Sequence, residues 1–197
     1  QTLIQNGDFV QAHTELLKLW KETPASALRE DIEIVLSDVN SKLLSEQKFP
    51  GTVEYRVKSG DSLYVIAKKN KTSVHMIEVI NGLKSDVIRP GQKLKVLPGN
   101  FSISVTKSNN VLRLYLAGQF FKRYSIATGA TSDLTPEGTF TITTKLENPT
   151  WFKMGSKAIP PGGPDNLLGT RWLGFSKAGY GIHGTTLPES IGRHSTS

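Results

Sequence analysis

Residues 52–98 read TVEYRVKSGDSLYVIAKKNKTSVHMIEVINGLKSDVIRPGQKLKVLP. Val53, Tyr55 and Val57 alternate with polar residues, which is the period of a half-buried strand. Ser59-Gly60-Asp61 makes a turn, and Asp61 or Ser62 supplies the side-chain oxygen that caps a following helix. That helix turns Leu63, Ile66 and Ala67 to one side. Thr72 or Ser73 caps a second short helix with Val74, Ile77 and Ile80, and Asn81-Gly82 ends it. Leu94 and Val96 alternate again in a returning strand. The stretch is therefore expected to fold as strand, helix, helix, strand.

Both flanks have a different texture. Lys48-Phe49-Pro50-Gly51 reads as a linker, and residues 1–48 before it are helical in pattern. Phe9, Ala12, Leu16, Leu19 and Trp20 lie on one helical face, with Asp8 as N-cap. Thr23-Pro24 ends that helix, and Pro24 is suited to open the next. Leu28, Ile32, Val35, Leu36, Val39, Leu43 and Leu44 give the second helix its face. The expectation is a helical hairpin, similar to a tetratricopeptide-type unit. It is either part of a longer array or packed on its neighbours, because one repeat cannot bury its own face.

Leu97-Pro98-Gly99-Asn100 is a second linker, and from Phe101 the pattern is β. Ile103 and Val105 alternate, Asn109-Asn110 turns, Leu112, Leu114 and Leu116 alternate, and Ala117-Gly118 turns again. Thr135–Gly138 is a turn feeding a strand over Thr139–Thr144, and Pro160–Pro164 is a loop. Short strands with turns at close intervals imply a sandwich or barrel. The fold class expected for the whole is α+β multidomain. Its parts are a helical hairpin (1–48), a βααβ module (52–98) and a mainly-β domain (101–197).

Composition narrows the function. The 197 residues have a formal net charge of +7, which suits an anionic partner such as nucleic acid, a membrane surface or an anionic cell wall. The cations are scattered, with no run of like charge and no basic stripe interleaved with aromatics, so no nucleic-acid partner is expected. No apolar run approaches a membrane span. The sequence has no cysteine, which excludes disulfides, thiolate metal sites and a cysteine nucleophile within these residues. The four histidines lack metal-ligand spacing, and no Gly-x-Ser-x-Gly elbow or phosphate-binding glycine loop occurs. The first residue is Gln1 and no basic-then-apolar leader precedes it, so the chain reads as a processed form or a fragment.

Several motifs in residues 53–97 occur in order at fitting spacing. They are Tyr55–Leu63 (YRVKSGDSL), Ile66-Ala67, Ile80-Asn81-Gly82-Leu83 and Ile88–Leu94 (IRPGQKL). The segment closely resembles the LysM module, whose members bind N-acetylglucosamine-containing glycans. The resemblance implies a groove between the Gly-Asp-Ser-Leu turn and the loop before the last strand. Carried onto this sequence, it consists of Gly60, Asp61, Ser62 and Leu63, with Leu83, Asp86, Val87 and Ile88 opposite. Taken one at a time, Asp61 and Ser62 are equally explained as helix caps and Leu63 as core. His75 reads as a surface residue.

The third segment resembles the L,D-transpeptidase (YkuD-type) catalytic domain. The resemblance rests on Ser125–Gly129 (SIATG), Thr135–Phe140 (TPEGTF), Asn166–Gly174 (NLLGTRWLG) and Gly181–Thr185 (GIHGT). In that family the Ile-His-Gly-Thr segment is followed by a Pro-containing loop, Ile-Gly, and a Ser/Thr-x-Gly-Cys signature that holds the nucleophile. Leu187–Ser197 (LPESIGRHSTS) matches the approach to that signature. The expectation is that these residues stop just short of the cysteine, within an incomplete domain.

By that resemblance the parent enzyme takes a tetrapeptide stem of peptidoglycan through a Cys thioester. D-alanine leaves, and the product is a 3-3 cross-link or a protein attached to the wall. His183 is the expected base, and the carbonyl of Gly184 or Thr185 is expected to fix its tautomer. Arg171, Trp172 and Tyr180 are the expected substrate contacts. Arg171 is preferred over Lys153 and Arg193 for the stem carboxylates. Trp151, Phe152 and Phe175 are cleft residues or loop anchors. Read as a single residue, His183 is equally a buried, hydrogen-bonded histidine at a strand end, and His194 reads as a solvated loop residue. No metal or cofactor is implied. The partners are stem peptides and glycan, and the location is the cell envelope after export. The alternative is a non-catalytic peptidoglycan-binding protein with a degenerate transpeptidase-like domain.

Overall fold

The computed structural model describes residues 1–131, 134–152, 155 and 157–196. The fold mixes helices with several small sheets. The chain condenses into two compact units. One comprises Gln1–Val105 with Leu112–Tyr124, and the other comprises Thr106–Val111 with the residues from Ser125 onward.

The first unit opens with α1 (Thr2–Gln5), α2 (Phe9–Glu22) and α3 (Ala27–Ser45). Asp8 takes the N-cap position of α2, but its side chain makes no capping bond. Pro24 does not open α3. The cap is Ser26, whose Oγ accepts from Arg29 N at 3.3 Å. A hydroxyl aimed at an otherwise orphaned N–H outcompetes the fixed φ of a proline two residues earlier. The buried faces are also rotated from the apolar stripes. In α2, Leu17 is buried and Leu19 exposed, and in α3, Leu28 and Val35 are exposed while Glu33, Ser37 and Asn40 are buried.

Strands explain the rotation. β1 (Val53–Arg56), α4 (Leu63–Lys69), α5 (Val74–Asn81) and β2 (Lys93–Val96) come first, followed by β3 (Phe101–Thr106), β4 (Val111–Leu116) and β5 (Gln119–Ser125) in sheet order β3-β4-β5. The buried polar groups of α3 bond to β4 and β5. Arg113 Nε donates to both Glu33 oxygens at 2.8 and 2.9 Å. Asn40 Nδ2 donates to Phe121 O at 2.7 Å, and Arg123 N donates to Ser37 Oγ at 3.0 Å. His13 Nδ1 lies 2.6 Å from Asn40 Oδ1 and donates to it, because that oxygen only accepts. Residues 1–48 thus pack on β4 and β5.

The βααβ stretch follows its sequence closely. β1 and β2 pair antiparallel with Val53 opposite Val96 and Arg56 opposite Lys93. Ser62 and Ser73 cap α4 and α5, and Gly82 closes α5 in the left-handed conformation at φ 62°. Val57, Leu63, Ile66, Ala67, Ile77, Leu94 and Val96 form its core. A second cluster joins Ile80 and Leu97 to Ala12, Val39, Leu43, Phe49, Leu116 and Phe121.

The second unit contains β6 (Thr128–Gly129), β7 (Ile142–Glu147), β8 (Arg171–Phe175), β9 (Gly181–His183) and β10 (His194–Thr196). β7, β8 and β9 form an antiparallel sheet, and β10 pairs with β6 in parallel. The strand expected over Thr139–Thr144 begins three residues later. Thr141 is held by Ser176 through Ser176 N to Thr141 O at 2.8 Å and Thr141 N to Ser176 Oγ at 3.2 Å, and the ladder starts at Ile142 opposite Phe175. His194 is also not a loop residue. It sits in β10, and its Nδ1 lies 2.8 Å from Thr128 Oγ1. The Thr128 hydroxyl already donates to Asn110 Oδ1 at 2.6 Å, so His194 is the donor in its bond.

Candidate active site around His183

β9 is only three residues long and ends on His183. Its register with β8 sets Trp172 opposite His183, Leu173 opposite Ile182 and Gly174 opposite Gly181. Directly opposite residues share a face, so the indole and the imidazole meet. Their centroids are 6.0 Å apart and the planes differ by 22°. The His183 side chain is exposed, unlike that of a core histidine.

The ring's orientation follows from one bond. His183 Nδ1 lies 2.6 Å from Gly184 O. A carbonyl oxygen only accepts, so Nδ1 carries the proton. Nε2 is then the ring's acceptor. This is the carbonyl contact expected from the sequence, made by Gly184. Thr185 contributes differently: its Oγ1 accepts from Leu187 N at 2.9 Å and turns the chain away after the histidine.

The Gly184 carbonyl is itself held in place. Gly184 N donates to Arg171 O at 3.1 Å. Gly169, at φ +63°, lies so close that a Cβ on it would stand 2.9 Å from Thr185 N and 3.0 Å from Gly184 C. Only glycine combines that conformation with that approach. Before it, Asn166 is 2% exposed, and its Oδ1 accepts from Leu168 N at 3.1 Å. In the sequence Asn166 and Gly169 are only letters of the Asn166–Gly174 motif, and nothing in their spacing marks them as supports of the histidine turn.

Of the expected substrate contacts, Arg171 and Trp172 lie on β8 and Tyr180 lies in the turn that follows it. Arg171 is exposed, opposite Glu147 in β7, with Nη2 3.6 Å from Glu147 Oε1. Both partners are well exposed, so the pair is screened by solvent, while Arg171 Nη1 also donates to Thr170 O at 2.9 Å. Tyr180 closes the β8–β9 turn, where Phe175 N donates to Tyr180 O at 2.9 Å and the Lys177 ammonium lies 4.6 Å from its ring centroid. Trp151 is bridged to Ile159, Phe175 stacks on Phe140 at 5.5 Å, and Phe152 is 79% exposed. Arg193 is exposed, and Lys153 lies outside the described residues.

The expected glycan residues sit in the first unit. Gly60, at φ +84°, makes the turn. Asp61 accepts from Lys58 N at 2.8 Å and from Tyr55 Oη at 2.9 Å. These bonds, the backbone one first, hold its carboxyl below the usual carboxylate range and raise the Tyr55 hydroxyl. Ser62 caps α4 through Val65 N at 3.2 Å. Leu63 is 2% exposed, which leaves only its backbone to a ligand. Leu83 and Ile88 are half-buried against the same core, while Asp86 and Val87 are exposed.

Comparison with known proteins adds the following. The family described as L,D-transpeptidase catalytic domain (YkuD) matches residues 100–197, and the LysM domain matches residues 55–97. A Bacillus subtilis (strain 168) protein named as an L,D-transpeptidase, YqjB, is 48% identical over 102 residues, covering 49% of this chain and 56% of YqjB. The chain thus spans little more than half the length of that relative. A Bacillus licheniformis protein named as an L,D-transpeptidase, YkuD, is 35% identical over 147 residues, covering 71% of this chain and 79% of its own. A Bacillus subtilis protein named as a peptidoglycan endopeptidase, LytE, is 52% identical over 42 residues, covering 21% of this chain and 13% of its own.

Proposed function

The chain belongs to the YkuD-type L,D-transpeptidase family and carries a LysM domain ahead of the catalytic one, and from this we propose that it serves peptidoglycan acyl transfer with His183 as general base. The observation that carries the reading is the bond from His183 Nδ1 to Gly184 O, which leaves Nε2 as the acceptor of an exposed side chain.

The 197 residues include no cysteine, and in this reading they supply the base and its setting for a thiol nucleophile. In the forward half-reaction, Nε2 takes the thiol proton as sulfur attacks the stem carbonyl. The S–C bond forms, the C–N bond to D-alanine breaks, and imidazolium returns the proton to the leaving amine. A stem amine then attacks the thioester and gives its proton to Nε2, and the released thiolate recovers it. The acceptor's identity decides between a 3-3 cross-link and protein attachment.

The other residues have supporting parts. Trp172 keeps the imidazole from rotating off its carbonyl. Arg171 exchanges Glu147 for a stem carboxylate in bidentate fashion. Tyr180 borders the entry to β9. In the LysM domain, Gly60, Asp61, Ser62 and the Leu63 backbone face the glycan from one side, and Leu83, Asp86, Val87 and Ile88 from the other. Holding glycan there raises the local concentration of stems without any new contact at the active site. This chemistry belongs to the cell envelope. Among the described residues, no helix is long and apolar enough to cross a membrane.

The test is release of D-alanine from tetrapeptide-stem muropeptides by the natural full-length protein and by its H183Q variant. General-base loss is expected to lower kcat about 10²- to 10⁴-fold with sedimentation on insoluble peptidoglycan unchanged. An H183Q protein within about twofold of the parent would refute the role of His183. A full-length protein that binds glycan and releases no D-alanine would instead support the non-catalytic binding alternative.

A further inference from the structure

The second unit contains a buried amide that the chemistry above does not use. Asn166 is 2% exposed and lies in the loop between β7 and β8. Its Nδ2 faces three carbonyl oxygens, those of Pro149 at 2.9 Å, Pro160 at 3.1 Å and Ile159 at 3.3 Å. Its Oδ1 accepts from Leu168 N, and its own N–H donates to Gly163 O at 3.0 Å. One side chain therefore ties Pro149, just after β7, and the start of the Pro160–Pro164 loop to the residues that lead into β8. A buried amide with every polar group engaged has a single orientation, because turning it over would set its NH₂ against Leu168 N–H and its oxygen against three carbonyls.

What it gathers lies against the catalytic turn. Leu168, bonded through its N–H to Asn166, is buried. A Cβ on Gly184 would stand 3.2 Å from Leu168 O and 3.3 Å from Thr170 N. From the other side, a Cβ on Gly169 would stand 2.9 Å from Thr185 N. The 168–170 backbone is thus the wall against which the Gly184-Thr185 peptide rests, and that peptide carries the carbonyl that takes the His183 Nδ1 proton.

We propose that Asn166 is a positioning residue for His183: by fixing the Leu168-Gly169 backbone it holds the Gly184 carbonyl where it selects the Nδ1–H tautomer and leaves Nε2 as acceptor. Asn166 touches neither substrate nor imidazole. It acts through two backbone segments, and its loss frees the carbonyl to tilt. The ring then reverts toward the mixture of a free imidazole, in which much of the population carries its proton on Nε2 and has its acceptor on Nδ1 instead. This inference rests on the reading of His183 as the base, but its readout needs no turnover.

The test is a two-bond ¹H–¹⁵N correlation spectrum of the 197-residue polypeptide, which distinguishes protonated from bare ring nitrogens. It is recorded at about pH 8, above the ordinary imidazole pKa of about 6.5. Wild type is expected to show His183 and His194 both as Nδ1–H. In N166A, His183 is expected to lose its Nδ1–H signature while His194, held by Thr128 in the same unit, keeps its own. If His183 is unchanged, or if both histidines change together, the proposal fails: the first outcome means no coupling and the second means general loosening. Should N166A not give a dispersed spectrum, G169A tests the next link. Its new methyl would press on the Gly184-Thr185 peptide, and a folded G169A with an unaltered His183 would overturn the route. A wild-type spectrum with the expected tautomer alongside an inactive full-length enzyme would remove the catalytic reading and leave the positioning intact.

Discussion

Replacing Glu33 tests how firmly the N-terminal helices belong to the first unit. Its carboxylate is 1% exposed and accepts from Arg113 Nε at 2.8 and 2.9 Å and from Trp20 Nε1 at 3.2 Å. Arg29 Nε forms a longer ion pair with the same carboxylate at 4.0 Å, beyond hydrogen-bond distance, so it cannot replace the two bonds from Arg113. E33A removes the acceptor while the guanidinium stays in its desolvated place and the indole N–H is left unpaired. Breaking one side of such a pair costs about 3–5 kcal/mol. In a domain this size that lowers Tm by on the order of 10 °C. R113M should cost a similar amount, because it leaves a carboxylate buried without its cation. The double variant E33L/R113M removes both charges and fills both volumes, so it should fall within about 1–2 kcal/mol of wild type. Denaturant unfolding followed by far-ultraviolet circular dichroism gives the cycle, and the coupling should exceed about 2 kcal/mol. Amide exchange adds a second reading. Because α3 shares a cluster with Ile80 and Leu97, protection in α5 should fall in E33A as well. Additive single costs, or α5 protection untouched by an E33A that destabilises α3, would refute the reasoning.

Four further outcomes follow from the same geometry. His13 is depressed, chiefly by burial and partly offset by its bond to Asn40, so its stabilising contribution is complete above the ordinary value of 6.5 and declines as pH falls from there through the lowered folded value; a plot of unfolding midpoint against pH should lose that slope in H13Q. Asp61 is also depressed, so its contribution is present above the ordinary carboxylate value and disappears as pH falls through its lowered one; D61N should remove that acid limb from the melting profile of the LysM domain. I66A, at a fully buried position, should destabilise by about 2–5 kcal/mol, and a loss below about 1 kcal/mol would contradict the packing. S62A removes the α4 cap and should cost about 1 kcal/mol, measured by denaturation, without disturbing the His183 resonances.

What could be read from the sequence divides along the range of the interactions. In residues 52–98 the signals are local. Ser62 and Ser73 cap the helices that begin one residue later, Gly82 takes the left-handed end of α5, and Leu94 and Val96 point inward from alternate positions of β2. Residues 1–48 were legible as helices but not as a surface. Their partner, β4 and β5, lies some eighty residues along the chain, and periodicity carries no information about it. Glu33, Ser37 and Asn40 therefore read as solvent-facing polar residues when they are the contact itself. β7 was displaced for a related reason: Thr139–Thr141 has strand-like composition, but Ser176 ties Thr141 down before the ladder begins.

The site lies between these cases. The segment Gly181–Thr185 pointed to His183 and to a neighbouring carbonyl, because both lie within one turn of chain. The stack with Trp172 was not available, since it depends on β8 and β9 being paired with residue 172 opposite residue 183. Once that register is known, the separate motifs explain each other. A Cβ on Gly181 would stand 2.6 Å from Leu173 O and 2.7 Å from the Trp172 ring, and one on Gly174 would stand 2.8 Å from Trp172 Nε1. The two glycines face each other across the ladder and leave the space in which the indole lies flat. Gly169 and Gly184 do the same on the backbone side of the turn. The Leu-Gly-Thr-Arg-Trp-Leu-Gly and Gly-Ile-His-Gly-Thr motifs are therefore two halves of one object, and their glycines are placed by the bulk of Trp172 and by the approach of one peptide to the carbonyl beside His183. A methyl at Gly181 should displace the indole and uncover one face of His183, while a methyl at Gly169 should move the carbonyl and leave the stack in place. The two substitutions would separate shielding of His183 from choice of its tautomer.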